Sequence, residues 1–480
     1  MRRLLACSLL LALAGCATVD PYASEPIASH VKRDDDAGYC ARLFADLDRQ
    51  VDRLDVRDVE APRIEGFPYL RVDRFSAALG RQALDPARRE AWLRRLAELD
   101  DDGRATELAN AGLPGDDLAR CRALLTAEDS RRLAELQTRA VVPDDYSSAM
   151  RAVGLYPLTR LAFAAGIERW HAETRATFST PSNDLPVHGQ LVRFGLGGPA
   201  PDVALPVPAD PLGVPVLSRL DRMALLQRHA PVLVIDVAGA FDRPGTVTLD
   251  AMDHPAVDPR PAASYVRIAH AILDGKVRLQ LVYTFFFTER PPQGAFDSLA
   301  GRLDGLVWRV TLGDDGTPLV YDTIHPCGCY HLFFPTEHVV ARPRPESLDE
   351  GLFAPQQIRA PRANEDGVVR IASGTHYVQQ VSLEPRGAAV ERYRIEDERH
   401  LTTLPRQGGG TRSAYGSDGL MSGSERGERL FFWPMGIESA GQLRQWGHHA
   451  TAFVGRRHFD DPLLLDSYFA LRSATPAPVP

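Results

Sequence analysis

Apolar residues recur every three or four positions from Tyr39 onward, at Cys40, Leu43, Phe44, Leu47, Val51 and Leu54. That period marks one buried face of a helix. It returns in "DPARREAWLRRLAEL", with Asp85 at the N-cap, Pro86 in the first turn, and Trp92, Leu96 and Leu99 facing inward. "DDLARCRALL" places Leu118, Cys121 and Leu125 on one face, Thr126 and Asp129 read as the capping-box start of another helix, and residues 157–178 supply the last. Residues 155–167, apolar apart from Arg160 but too short to cross a bilayer, are predicted to form a buried helix. Residues 36–180 are therefore expected to be an all-helical domain.

The period then changes. A Pro/Gly-rich connector spans residues 195–215, and beyond it side chains alternate with period two. "SYVRIAHAIL" sets Val266, Ile268, His270 and Ile272 on one face, Asp274-Gly275 is a hairpin turn signal, and "VRLQLVYTFFFTE" answers with Val277, Leu279, Leu281, Tyr283, Phe285 and Phe287. "GLVWRVTL" and "PLVYDTI" flank a "GDDG" turn, and further strands are expected at residues 230–237, 367–372, 376–383 and 389–395. The fold class read from this order is α+β, with the helical domain followed by an antiparallel β-rich domain, sandwich or barrel-like, over residues 181–480. A chain of 480 residues exceeds the size at which one core usually stops growing, which agrees with two domains.

The N-terminus changes the picture of where the protein works. "MRRLLACSLLLALAGC" runs from two arginines through an apolar stretch to small residues and a cysteine, the order of a secretory signal. Leu13, Ala14, Gly15 and Cys16 resemble the lipobox of bacterial lipoproteins, a resemblance confined to about the first twenty residues. It implies removal of residues 1–15, acylation of Cys16 as by palmitate, and a lipid anchor to the membrane. Ala17 after the cysteine implies the outer membrane, facing the periplasm, and residues 16–35 would form the tether. The 55 basic and 63 acidic residues give a net charge of −8, so nothing here marks a nucleic-acid partner.

In an oxidising compartment the remaining cysteines, Cys40, Cys121, Cys327 and Cys329, are expected to pair, most simply Cys40 with Cys121 and Cys327 with Cys329. The second pair lies in "HPCGCYH", which gathers His325, Cys327, Cys329 and His331 within seven residues. Three chemistries share these residues. Alternation along a strand puts all four on one face, while Pro326 and Gly328 bend it, so they could converge as ligands for zinc or copper, with His270, His448 or His449 as a distant helper. A Cys327–Cys329 bridge would instead be structural, in a non-catalytic envelope scaffold, or redox-active. A thiol nucleophile with His325 or His331 as base, oriented by Asp322, is the third, a thiol-dependent hydrolase or oxidoreductase.

Other polar residues read more plainly. His270 is a core histidine, Glu289 at a strand end reads as an ion pair with Arg290 or a rim contact, with a general acid as the alternative, and Asp304 serves the turn before a strand. His448 and His449 point to opposite sides, and residues 408–428 form a loop able to cover a pocket. No G-x-S-x-G, H-E-x-x-H, phosphate loop or dinucleotide fingerprint occurs.

Overall fold

The structure, a computed structural model, describes residues 32–345, 347–387 and 391–472. The signal-like segment, Cys16 and most of the tether lie outside the described residues. Helix α1 (Asp36–Leu54) starts where Asp35 accepts the Gly38 N–H at 2.9 Å. A hairpin of β1 (Arg63–Ile64) and β2 (Phe67–Arg71) follows, then α2 (Arg74–Gly80), α3 (Pro86–Ala111), α4 (Leu118–Glu128), α5 (Leu133–Arg139), α6 (Ser148–Val153) and α7 (Tyr156–Ser179). Asp85 caps α3 by accepting from Arg88 N–H, and Gly112 ends it at φ +65°.

Cys40 and Cys121, each on an apolar stripe, are joined in a disulfide between α1 and α4 with Cα atoms 5.0 Å apart. Beneath them Arg71, Asp100, Arg104 and Glu107 form a buried ionic cluster, with Arg71 2.8 Å from Glu107. Burial penalises the Glu107 charge, yet Arg71, Arg63 and Arg104 outweigh it and pull its pKa to about 2. Two expectations are corrected here. The region is not all-helical, because β2 is buried at its centre. Thr126 lies inside α4, since the stripe Leu118, Cys121 and Leu125 carries that helix on to Glu128.

The second part begins with β3 (Gln190–Gly195), α8 (Arg219–Arg228), β4 (Val232–Val237), β5 (Thr246–Leu249), β6 (Pro255–Asp258), β7 (Ala263–Leu273) and β8 (Lys276–Arg290). It continues through β9 (Gly301–Leu312), β10 (Pro318–Ile324), β11 (Leu332–Pro335), β12 (Val339–Ala341), β13 (Glu365–Ile371), β14 (Val378–Pro385), β15 (Glu391–Arg392) and β16 (Arg394–Asp397). Short pieces complete it: β17 (Leu404–Pro405), β18 (Thr411–Arg412), α9 (Arg429–Phe432), α10 (Leu464–Tyr468) and β19 (Phe469–Leu471).

A six-stranded sheet in the order β11-β10-β9-β8-β7-β16 faces a five-stranded sheet in the order β14-β13-β4-β3-β15. One core joins them: Leu281, Tyr283, Phe285 and Trp308 of the first pack with Phe194, Leu233, Ile235 and Val369 of the second. Each such buried side chain contributes roughly 1.5–3 kcal/mol. The β7–β8 hairpin turns at Asp274 and Gly275, both at positive φ, as the sequence required. The α+β class holds, but the sheets are mixed, because β16 runs parallel to β7, β13 to β4, and β15 to β3. Helices are also not confined to the first part, and Leu212 and Ile272 pack into the helical core. Helix α7, expected to be buried, leaves Leu158 and Leu161 more than half exposed, and its later turns lie on the sandwich through Trp170 and Phe178. Among the described residues no helix is long and apolar enough to cross a membrane.

Candidate functional site

Strand β10 runs out at Ile324, and the chain reverses through "HPCGCYH" before β11 resumes at Leu332. Pro326 has no N–H to continue the ladder, and Gly328, at φ +92°, places its missing Cβ where the Ala450 carbonyl lies. The turn is closed by His325 N–H donating to the Cys329 carbonyl at 3.0 Å and Gly328 N–H donating to the His325 carbonyl at 2.8 Å. Tyr330 follows at φ +62°. This left-handed residue ends the alternation that would have kept His325, Cys327, Cys329 and His331 on one face.

The four side chains therefore part. His331 Nε2 lies 2.9 Å from Asp322 Oδ2, deep in the protein, where Arg309 holds the same carboxylate. Burial lowers the His331 pKa to about 3 despite that partner. Cys327 and Cys329 are free, buried thiols rather than a bridge, and the Cys329 N–H donates to Cys327 Sγ at 3.4 Å. Contact with Cys327 and then burial raise the Cys329 thiol pKa well above its ordinary value, the reverse of what a thiolate nucleophile needs. Among the described residues, no three His, Cys, Asp or Glu side chains gather as a metal ion would require.

His325 has a different setting. Its Nδ1 faces Asp304 Oδ1 at 3.5 Å, and its ring lines a cavity of about 250 Å³ between α7 and the end of the sandwich. Asp304 sits on β9 opposite Phe287. Its second oxygen, Oδ2, is 2.7 Å from Nδ1 of His376, in the β13–β14 turn. His376 Nε2 in turn lies 3.2 Å from the Phe241 carbonyl and 3.4 Å from Asp242 Oδ1. Asp242 ends a 3₁₀ turn after β4 and accepts from Gly374 N–H at 2.6 Å and Ala238 N–H at 2.8 Å. The row Asp242, His376, Asp304, His325 thus crosses from one sheet to the other, and all four residues are buried.

The charges along the row follow from the partners. A carbonyl only accepts, so the contact with Phe241 requires a proton on His376 Nε2, and the ionised Asp304 requires one on Nδ1. Burial opposes that charge, but the bonds to Asp242 and Asp304 outweigh it and raise the His376 pKa. Burial likewise opposes the Asp304 carboxylate, and His325 and His376 nevertheless hold it well below the usual range. For His325 burial wins over Asp304, so its pKa is lowered and the ring is neutral at neutral pH. With Nδ1–H turned to Asp304, the lone pair is on Nε2.

Around this row the backbone is unusual. Nine non-glycine residues among those described have positive φ; Leu303, Tyr330 and His376 are three of them, and each belongs to or adjoins the row. Arg426 secures one by donating to the carbonyls of Arg302, at 2.9 Å, and Leu303. Such conformations persist only where surroundings impose them, and they concentrate at working sites. Tyr330 and Tyr377 border the cavity with rings 4.7 Å apart, and Arg290 donates to the Tyr377 hydroxyl at 3.1 Å.

Of the residues singled out from sequence as ligands, nucleophile or base, only His325 enters this arrangement directly. Asp304, read as a turn residue, lies in β9 on the inward face of Leu306, Trp308 and Val310; a carboxylate continuing an apolar face was the signal for it. Glu289 is exposed and it is Arg290 that turns inward, because the sandwich core ends at Phe287. His270 stacks on Phe75 at 4.9 Å as a core residue. His448 pairs with Asp145 at 3.0 Å, and neither it nor His449 lines the cavity. Nothing in "AFDRPG" or "SGTHY" announced Asp242 or His376. Compared with protein-family models, curated proteins and solved structures, the chain matches none.

Proposed function

We propose that the chain is a lipid-anchored cell-envelope hydrolase in which His325 is the general base. The anchor rests on the lipobox-like Leu13, Ala14, Gly15 and Cys16. The chemistry rests on one observation: the buried Asp304 carboxylate lies between His376 behind it and His325 at the cavity. A neutral imidazole oriented by a carboxylate is the arrangement that takes a proton from water and stabilises the resulting imidazolium. In the reaction, His325 Nε2 accepts a water proton as the oxygen attacks an acyl carbon, and returns it to the leaving group when the acyl bond breaks. The Tyr330 and Tyr377 hydroxyls, whose pKa values burial raises, stay protonated and can donate to the developing oxyanion. The 3.5 Å separation of His325 from Asp304 is of the loose kind that closes when substrate binds.

The test is release of p-nitrophenol from p-nitrophenyl esters, and of p-nitroaniline from acyl anilides, by the purified chain. Loss of roughly 10²–10⁴-fold in rate is expected for His325→Gln. Unchanged rates in that variant, or no release from either series by the native chain, would overturn the assignment.

A further inference from the structure

On the far side of Tyr330 and Tyr377 from His325 lies a second, larger chamber of about 450 Å³. Its walls are apolar: Phe163, Gly166 and Ile167 of α7, Phe432 at the end of α9, and Phe453. Trp170, Tyr330 and Tyr377 line both cavities, so the two are lobes of one cleft divided by aromatic rings. We propose that this chamber receives the hydrocarbon chain of an acyl amphiphile whose polar end lies at His325. The assignment of the polar end rests on His325 being the base; the fit of the chain to the chamber does not.

Four features carry the inference. The volume is that of a small-molecule site, and most of its lining is hydrocarbon, with a few polar groups among it. The polar lining groups are Tyr330, Tyr377, Cys329, Glu350 and Glu428, and burial raises the pKa of the last to about 7, so the wall carries less charge than its composition suggests. Gly166 lies in the middle of α7, where glycine costs about 1 kcal/mol relative to alanine, and no atom lies within 4 Å of the Cβ it lacks. Gly166 is exposed and lines the chamber, so the wall is open at this position. Finally, the residues next to the lining ones are exposed and apolar: Leu158 and Leu161 beside Ala162 and Phe163, and Leu430 and Phe431 beside Phe432, each more than half exposed. A neighbouring apolar surface of this kind suits a ligand that arrives from a membrane.

The experiment uses the full chain and cis-parinaric acid, whose fluorescence rises in an apolar site. Saturable binding is expected, weakened at least about tenfold in Gly166→Phe, which adds a ring to the lining wall at a position where a Cβ meets no atom within 4 Å. Ala162→Trp, on the same wall, is read if Gly166→Phe lowers the melting temperature. Absence of saturable binding, or equal binding by the native chain and the filled variants, overturns the proposal. His325→Gln separates the two readings: it should keep saturable parinarate binding while losing ester turnover. Binding lost in Gly166→Phe together with full turnover in His325→Gln would keep the chamber and remove the base. A second arm offers a pyrene-labelled phospholipid in phosphatidylglycerol vesicles; a fall in excimer emission marks a membrane lipid as the source, and parinarate binding without it marks a free acyl chain.

Discussion

Asp304 Oδ2 lies 2.7 Å from Nδ1 of His376, and the pair joins the two sheets of the sandwich at a point where neither group reaches solvent. Removing one member leaves the other buried and charged without its nearest partner. Asp304→Asn is therefore expected to destabilise the protein by about 3–5 kcal/mol, since His376 and Arg426 keep their charges. In the double variant Asp304→Asn/His376→Gln the losses should fall short of the sum of the singles by about 1 kcal/mol or more. Urea denaturation of the four proteins at neutral pH measures this; strict additivity would mean that the two groups do not interact.

The second expectation concerns pH. His325 must be neutral to accept a proton, and its pKa is lowered from the ordinary 6.5, chiefly by burial. Activity should rise with pH through an apparent pKa below 6.5 and be on its plateau at neutral pH. Protonation removes the base, so the loss comes on the acid side. A pH–rate profile that still climbs above neutrality would assign the base to another group.

The distribution of what could be read from the sequence follows from local against long-range causes. The cap at Asp85, the Asp274-Gly275 turn, the break at Pro326 and Gly328, and the pairing of Cys40 with Cys121 all depend on residues within one or two elements. The site depends on four segments. Asp242 is 62 positions from Asp304, and His376 is 72 from it, and only the packing of one sheet on the other brings them together. Helix α7 misled for a related reason: its apolar run is real, but much of it borders a cavity and solvent rather than core. The one-face reading of "HPCGCYH" failed at Tyr330, a bulky residue in a left-handed conformation that no local propensity favours.

Glu428 supplies a third, sign-determined expectation. Burial raises its pKa from 4.5 to about 7, more than Arg290 and Arg426 lower it. As pH rises from 4.5, the unfolded chain gives up this proton before the native one does, so stability declines until the native pKa near 7 is passed. Glu428→Gln removes the difference. It should raise the unfolding free energy by up to about 3 kcal/mol at roughly pH 8 and change it little at roughly pH 4. An equal effect at both pH values would show that the carboxyl is not held neutral in the chamber wall.

The four cysteines described divide into one cross-link and two inert thiols, and the two classes respond differently. The Cys40–Cys121 disulfide closes a loop of 81 residues, so Cys40→Ser/Cys121→Ser should cost about 2–5 kcal/mol and lower the urea midpoint. Cys327 and Cys329 are buried, and the Cys329 thiol is pushed well above its ordinary pKa. Iodoacetamide at neutral pH should leave both unmodified in the native protein and label both in denaturant without prior reduction, as intact mass would record. Labelling of one thiol in the native state at the rate of a free cysteine would return the nucleophile to consideration, and a mass two protons short in the unreduced, denatured chain at these positions would mean that they are bridged after all.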